Sequence, residues 1–459
     1  MKRTLTTLAI LAAISGASLA TEARAENLLD VWQAAKGHDR EYLEAQSEQA
    51  AGEARRDAGD TLLRPSVNLV VSAGAVRQDS SMTGAQFSQP ALGTFNNASF
   101  NTSINSGTQT RYALQATQPL YDPALSAQKK QMNLSADVAD TGMLAADQSL
   151  ILRVAESYFA ALKMQATLGL LNEQEAAVSN TYAEISRRQR LGDASKIDLR
   201  ATGEQVEAIR VKLLNTEMAY KNDELSLTEL TGQDVKVNPL VARFDTDGVE
   251  IGNVDDWLSK ARQNNKQLKM LALQEKMKQS EVDKYGFAYS PKLDLIAQVE
   301  GQRASGSGDY GDASNTANSR MLGIQLTVPL TDGYRSARKN EAYHLAEKSR
   351  LEYQRMSLEI DKQVNSLWFA LKTGKARVES LDRMVNLSRD RLAATVISHH
   401  RGARTTLELL GARSDYIAAR LSLLEEQVNL ILNRLRLASL AGELSEQDLT
   451  AANRFIASR

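Results

Sequence analysis

The chain repeats itself, and that duplication constrains its fold more than any other feature. Pro119-Leu120-Tyr121-Asp122 returns as Pro329-Leu330-Thr331-Asp332, an offset of 210 residues. The same offset carries Tyr158-Phe159-Ala160 onto Trp368-Phe369-Ala370, Leu191-Gly192 onto Arg401-Gly402, Asp198-Leu199 onto Glu408-Leu409, and Thr231-Gly232 onto Ala441-Gly442. Upstream the offset becomes 226, pairing Pro65 to Leu69 with Pro291 to Leu295, Asp30 with Asp256 and Ala35 with Ala261. Self-similarity at one spacing marks a structural unit used twice. The change of offset lies between the two prolines of each copy, so the first copy has a longer insert there, which reads as a loop.

Each copy reads in the same order. A polar amphipathic helix comes first, over about 27–62 and about 254–288. An alternating segment follows, with Val67, Leu69, Val71 and Ala73 set against Asn68, Ser72 and Gly74. In the second copy Leu293, Leu295, Ala297 and Val299 oppose Lys292, Asp294, Gln298 and Glu300. Period two predicts strands. A stretch rich in Gly, Ser, Asn and Thr, 77–109 and 302–319, reads as the connection. It leads to a second alternating strand, with Tyr112, Leu114 and Ala116 in one copy and Leu322, Ile324, Leu326 and Val328 in the other. Each copy is thus expected to hold a hairpin of roughly ten-residue strands, the length of a tilted membrane strand of ~9–11 residues.

Asp122-Pro123 and Asp332-Gly333 open the next element, Asp at an N-cap with Pro at the first helical position being a start signal. The stretches 124–190 and 334–400 hold 67 residues each and as single helices would run ~100 Å at 1.5 Å per residue. Gly142, Gly169 and Gly374 are weak interior points. Val364, Leu371, Val378, Val385 and Leu392 form a heptad stripe. Leu410, Ile417, Leu424 and Ile431 form another, with Leu421, Val428 and Leu435 beside it. This predicts antiparallel coiled coils folding back near Gly192 and Gly402. The first copy is less regular, with Leu144, Ile151 and Tyr158, then Val154, Ala161 and Leu168.

Composition and the amino terminus set the environment. Lys2 and Arg3, an apolar run from Leu5 to Ala20, and Ala23-Arg24-Ala25 before Glu26 read as a secretory signal peptide over 1–25. The run is too short and dilute for a retained anchor. There is no cysteine, so disulfides, thiol catalysis and a lipid-modified cysteine are excluded. Four histidines make a His-rich metal site improbable, and a net charge of −1 gives no footprint for nucleic acid. No Gly-rich phosphate loop, nucleophile elbow or metal-ligand cluster is present, so neither an enzyme nor a cofactor is expected. His399-His400 reads as a solvated turn rather than a metal site, and Asp309 with Asp312 as a flexible surface loop rather than a calcium site. Tyr158, Phe159, Trp368 and Phe369 read as helix-packing aromatics.

No later stretch has ~20 consecutive apolar residues, so any membrane crossing must be made by strands. Four strands cannot close a barrel, which needs about eight or more, and an open sheet edge in lipid costs several kcal/mol per unpaired group. Closure therefore needs other copies: three would supply twelve strands and two would supply eight. The competing reading is a secreted coiled-coil structural or adhesive protein without a pore, against which the duplicated hairpins argue.

Together these features resemble the TolC family of outer-membrane factors over nearly the whole mature chain. The resemblance rests on Gln118 to Asp122, Tyr158-Phe159, Gly192 to Asp198, Gly402 to Leu409 and Leu440 to Leu449, in order and in duplicate. It implies a mainly α fold with a small β part: a homotrimer with a twelve-stranded β-barrel continued by an antiparallel coiled-coil α-barrel. The implied divisions are a first repeat 26–232 (hairpin 66–119, turn near 192), an equatorial connector 233–253, a second repeat 254–442 (hairpin 292–329, turn near 402) and a C-terminal equatorial segment 443–459. The implied place is the outer membrane of a Gram-negative bacterium, in contact with its lipid and with a large periplasmic portion. The implied role is the exit duct of a tripartite export system. Its partners would be a periplasmic adaptor and an inner-membrane transporter, ABC-type or proton-driven. The missing acylated cysteine leans the expectation to type I protein secretion, with multidrug efflux as the alternative.

The resemblance also implies a periplasmic gate at the turns. Glu408 falls where the family has an acidic residue lining the constriction, and Arg404 where it has a linking arginine. Asp198 holds the matching acidic position of the first repeat and is the expected partner of Arg404. Three carboxylates near one axis would repel, raise one another's proton affinity and attract cations. Gly411 replaces a second acidic residue and His399 replaces a tyrosine, which predicts a looser or pH-sensitive lock. On residues alone, Arg404 and Glu408 are four apart and make an ordinary helix-surface pair.

Overall fold

The computed structural model describes residues 25–456, apart from 242–243, 245, 250, 288–289 and 332. The signal-peptide reading of the leader, the helix-start signal at Asp332 and the last three residues of the C-terminal segment lie outside the described residues. The order of elements is β1 (Ala25–Glu26), α1 (Leu28–His38), α2 (Arg40–Thr61), β2 (Ser66–Gln89), β3 (Gly93–Tyr121), α3 (Pro123–Arg190), α4 (Lys196–Thr231) and β4 (Lys236–Val237). Then come α5 (Val254–Asn264), α6 (Lys266–Gly286), β5 (Lys292–Gly308), β6 (Gly311–Thr327), α7 (Gly333–His400), α8 (Thr406–Leu440) and α9 (Glu446–Asn453). The chain forms two compact units. One comprises the chain up to Glu48, Thr141–Lys269 and the part from Gln354 on; the other comprises Gln49–Asp140 and Met270–Tyr353.

The first unit is helical. Leu28, Val31 and Trp32 of α1 pack with Leu150, Ile151, Val154, Tyr158, Phe159 and Leu162 of α3, with Leu227 of α4, with Val428, Ile431 and Leu435 of α8, and with Leu449 of α9. Fully burying each such side chain contributes about 1.5–3 kcal/mol, which is what holds very long helices in register. Val364, Leu371 and Val378, and Leu410, Ile417, Leu424 and Ile431, are buried, whereas Val385 and Leu392, further along the α7 stripe, are only half-buried. Leu144, set at the head of the first copy's stripe, is instead exposed. Trp368 donates its indole N–H to the Gly252 carbonyl at 3.2 Å. Phe369 is 58% exposed, so it is not a packing aromatic within one chain. The helices run unbroken through all three interior glycines, and Gly374 lets the Glu426 carboxylate lie over it, 3.3 Å from where a Cβ would stand.

The leading helix of each copy is two helices. At Asp39 the backbone leaves helix (φ −61°, ψ 123°), and at Asn265, its counterpart at offset 226, it does so again (φ −55°, ψ 125°). Each residue ends one helix by donating its N–H to Ala35 or Ala261. Each starts the next by accepting from the N–H of Tyr42 (2.8 Å) or Leu268 (3.0 Å). Asp and Asn are strong N-caps, and unbroken amphipathic spacing on both sides hides the break.

The second unit carries an antiparallel sheet in the order β2-β3-β5-β6. Its strands are 24, 29, 17 and 17 residues long, not roughly ten, and the stretches 77–109 and 302–319 are strand except at 90–92 and 309–310. The true turns are short, at Gln89–Gly93 and Gly308–Gly311, with Gly93 and Gly311 at φ of 83° and 98°. The extra length of the first copy is therefore added ladder, not added loop. Alternation signals a strand only where one face meets an apolar phase; beyond that zone both faces meet water and the pattern vanishes although the backbone pairing continues. Beside the sheet, α2 lies against α3 through Gly52, where a Cβ would come within 2.8 Å of Ala139 Cβ. Arg56 clamps Asp137 and Asp140, at 2.9 Å each.

Candidate functional site: the two helical turns

Both helical hairpins turn by the same device. Gly192 and Gly402 adopt the left-handed conformation, φ 86° and 75°, which costs glycine little. Asp193 N–H reaches back to Arg188 O (2.8 Å), and Ala403 N–H to Ser398 O (2.9 Å), the six-to-one bond of a Schellman ending. Basic residues fill the last turns, Arg187, Arg188 and Arg190 on α3 and His399 and His400 on α7, where cations complement the helix C-terminus. Two residues on, Ser195 and Thr405 cap the returning helices. Neither was singled out in the sequence, though Thr405-x-x-Glu408 has the spacing of a capping box.

The second turn realises that box. Thr405 Oγ1 accepts from Glu408 N–H at 3.2 Å. Glu408 Oε2 accepts from the Thr405 N–H at 2.8 Å and from its hydroxyl at 3.0 Å. Arg404 donates to Glu408 Oε1 at 2.5 Å. The Thr405 amide, then the Arg404 guanidinium and the Thr405 hydroxyl, hold the Glu408 carboxyl below the usual carboxylate range. Its side chain stays 43% exposed, so the charge is presented to solvent.

Arg404 is thus engaged within its own turn. Asp198 lies in the first turn of α4, half-buried, and its carboxylate meets no cation among the described residues. His399 bonds Thr406 Oγ1 at 3.2 Å, tying the end of α7 to the start of α8. Gly411 is exposed with open space around it.

Behind the tips α8 packs on the first hairpin. Leu410 joins Val178, Val206 and Ile209 in a small core. Ser414 Oγ accepts from both Gln174 (3.4 Å) and Gln205 (3.2 Å). Arg413 lies half-buried and donates to the Thr181 hydroxyl at 3.4 Å, its one side-chain bond among the described residues, and burial lowers its pKa. A lone arginine in an α8 sequence full of charged residues gave no advance signal. Among the described residues no group of side chains is able to hold a metal. The arrangement can present charge and lock or release helix ends.

Comparison with known proteins bears on the whole chain. A family model described as outer membrane efflux protein matches residues 31–233 and 257–443, one stretch per repeat. The proteases secretion protein PrtF of Dickeya chrysanthemi is 25% identical over 461 residues, covering 98% of this chain and 94% of that protein. The outer membrane protein TolC of Vibrio cholerae is 24% identical over 447 residues, covering 95% of each. The fold matches the crystal structure of the Campylobacter jejuni CmeC outer membrane channel with a TM-score of 0.74, at 15% identity over 92% of this chain and 87% of that one.

Proposed function

Since the chain belongs to the outer membrane efflux protein family, and is thereby an outer-membrane channel protein rather than an enzyme, we propose that it closes as a homotrimer and serves as the exit duct for a secreted protein. The observation that carries closure is the pair of free sheet edges. β2 and β6 have no outer neighbour among the described strands, and both are apolar: Val67, Leu69 and Val71 on one, Leu322, Ile324 and Leu326 on the other, each more than 60% exposed. In lipid such edges must pair, β6 of one copy with β2 of the next, and three copies give twelve strands continued by a helical tunnel. The helices repeat the pattern: α4 exposes Val211, Leu214, Met218 and Leu225, and α7 exposes Leu351, Leu358 and Leu387.

At the tips, three Glu408 carboxylates gather on the axis and select cations. Arg404 exchanges between Glu408 in its own turn and Asp198 on a neighbouring coil. His399 fastens the turn. A periplasmic adaptor and an inner-membrane ABC transporter deliver the cargo. Protein cargo is supported by the protease-secretion relative that spans 98% of this chain. Deleting the gene and measuring both the secreted proteome and drug susceptibility tests the cargo. Loss of a secreted protein with unchanged drug susceptibility is expected; drug hypersensitivity with an unchanged secretome assigns the duct to efflux instead.

A further inference from the structure

The strand ends remote from the helices hold a polar cavity that export does not call for. Beyond Ser106 the β2–β3 ribbon loses its pairing to β5 and leans over the β5–β6 turn, where β3 touches β6. Glycines permit the approach: a Cβ on Gly306 would lie 2.3 Å from Ser106 O, and one on Gly308 1.9 Å from Ser103 O. Two bonds fasten the crossing, Asp309 N–H to Ser103 Oγ at 2.7 Å and Asn105 Nδ2 to Asp309 Oδ1 at 2.6 Å. Asp309 therefore sits in a pinned two-residue connection and Asp312 in β6, where the sequence suggested one flexible loop, and Ser307 Oγ donates to Asp312 at 2.7 Å. Between ribbon and turn lies a cavity of about 330 Å³, within the range of small-molecule sites, about 300–1,000 Å³.

Its walls specify a chemistry. The ribbon contributes Gln78, Ser80, Asn101 and Thr102; the β5–β6 hairpin contributes Tyr310, Asp312 and Asn315. Amides and hydroxyls both donate and accept. No lysine or arginine lines the cavity, so nothing there would hold a phosphate or carboxylate. Only Ile104 and Ala313 are apolar, too little for a lipid chain or an apolar drug. Tyr310 is 72% exposed at the rim and offers a ring face. Many bidirectional hydrogen-bonding groups, one acidic acceptor and one aromatic face match a neutral polyhydroxylated ligand. We propose that this cavity is a saccharide-binding site. In a chain whose helices are periplasmic the hairpin tips face the outside of the cell, so the sugar comes either from the polysaccharide of the outer leaflet or from free oligosaccharide.

The full channel in detergent is titrated calorimetrically with two probes: lipid-free O-polysaccharide released from lipopolysaccharide by mild acid, and maltoheptaose. Saturable binding of either supports the site, and which of them binds identifies the source. Tyr310→Ala, and separately Asn101→Ala with Asn315→Ala, should weaken binding about tenfold through lost stacking and hydrogen bonds, whereas Tyr310→Phe retains it. Ser80→Trp fills the cavity from an exposed position and should abolish binding while the assembly survives. No saturation with either probe, or wild-type affinity in the Tyr310→Ala and Ser80→Trp channels, overturns the proposal.

Discussion

Replacing Thr405 by alanine separates the two roles combined at the second turn, where one residue pair both caps α8 and places a charge. The substitution removes the oxygen that accepts from Glu408 N–H at 3.2 Å and the hydroxyl that donates to its carboxylate at 3.0 Å, but leaves the Thr405 amide bond to Glu408 at 2.8 Å. Losing an N-cap side chain costs ~1 kcal/mol, range about 0.5–2. One kcal/mol is roughly a fivefold change in a local equilibrium, so the first turn of α8 should fray about five times more often. Hydrogen exchange of the Glu408 and Leu409 amides, which bond to Thr405 Oγ1 and to the Thr405 carbonyl, should accelerate by about that factor on the assembled channel, with exchange deep in α8 unchanged. Thr405→Ser, which keeps the acceptor, should restore the wild-type rate. Glu408→Gln, whose amide oxygen can still serve the box, should shift exchange little while removing the charge. If Thr405→Ala exchanges at the wild-type rate, the cap does not hold the turn and the reasoning fails.

The charge itself is read in planar bilayers: Glu408→Gln should lower cation preference and relieve block by multivalent cations, and unchanged selectivity would remove Glu408 from the constriction. The Glu408 carboxyl is held below its ordinary value, so its links act fully above the usual carboxylate range and are lost as pH falls through the lowered folded value; acid titration should lower the protection of the Thr405 amide, taken relative to its unfolded-chain exchange rate at each pH, in the wild type but not in Glu408→Gln. Asp122 behaves alike at the start of α3. Burial pushes its pKa up, but Lys292 at 2.8 Å and the amides of Leu125 and Ala124 more than offset this, and the result is lowered. Asp122→Asn keeps the cap, loses the ion pair, and should cost about 1–3 kcal/mol at pH 7 and flatten the fall of melting temperature below pH ~4. Tyr158→Phe strips the buried Asn238 N–H of its acceptor at 3.0 Å and should destabilise by about 1–3 kcal/mol by chemical denaturation.

What the sequence revealed followed from where the physics leaves a periodic trace. The long helices were legible because Leu410, Ile417, Leu424 and Ile431 recur at heptad spacing and all are buried. Their turns were legible because Gly192 and Gly402 are needed at positive φ. The helix breaks at Asp39 and Asn265 were missed because a cap changes the backbone without changing the apolar spacing around it. The outer ladders were missed because Ser, Thr, Asn and Gln on both faces leave no alternation to read. At the tip, residue spacing offered the in-turn Arg404–Glu408 pair, which the chain forms at 2.5 Å; the link from Arg404 to Asp198 was implied by the family resemblance alone, and no bond between them forms within the single chain.

The central claim, closure of the two free edges between copies, has a direct measurement. The internal register pairs Ala116 of β3 with Ala297 of β5. Carried through the 210- and 226-residue offsets, that pairing sets Leu326 of β6 opposite Val71 of β2 in the next copy. Facing strand residues lie within ~4.5–5.5 Å, close enough for a disulfide, and the chain has no native cysteine to interfere. Val71→Cys with Leu326→Cys, oxidised in intact outer membranes, should give a covalent ladder ending at the trimer under denaturing electrophoresis. The single variants, and Val67→Cys with Leu326→Cys, should stay monomeric. A ladder ending at the dimer, or no crosslink in the Val71–Leu326 pair, would contradict the account.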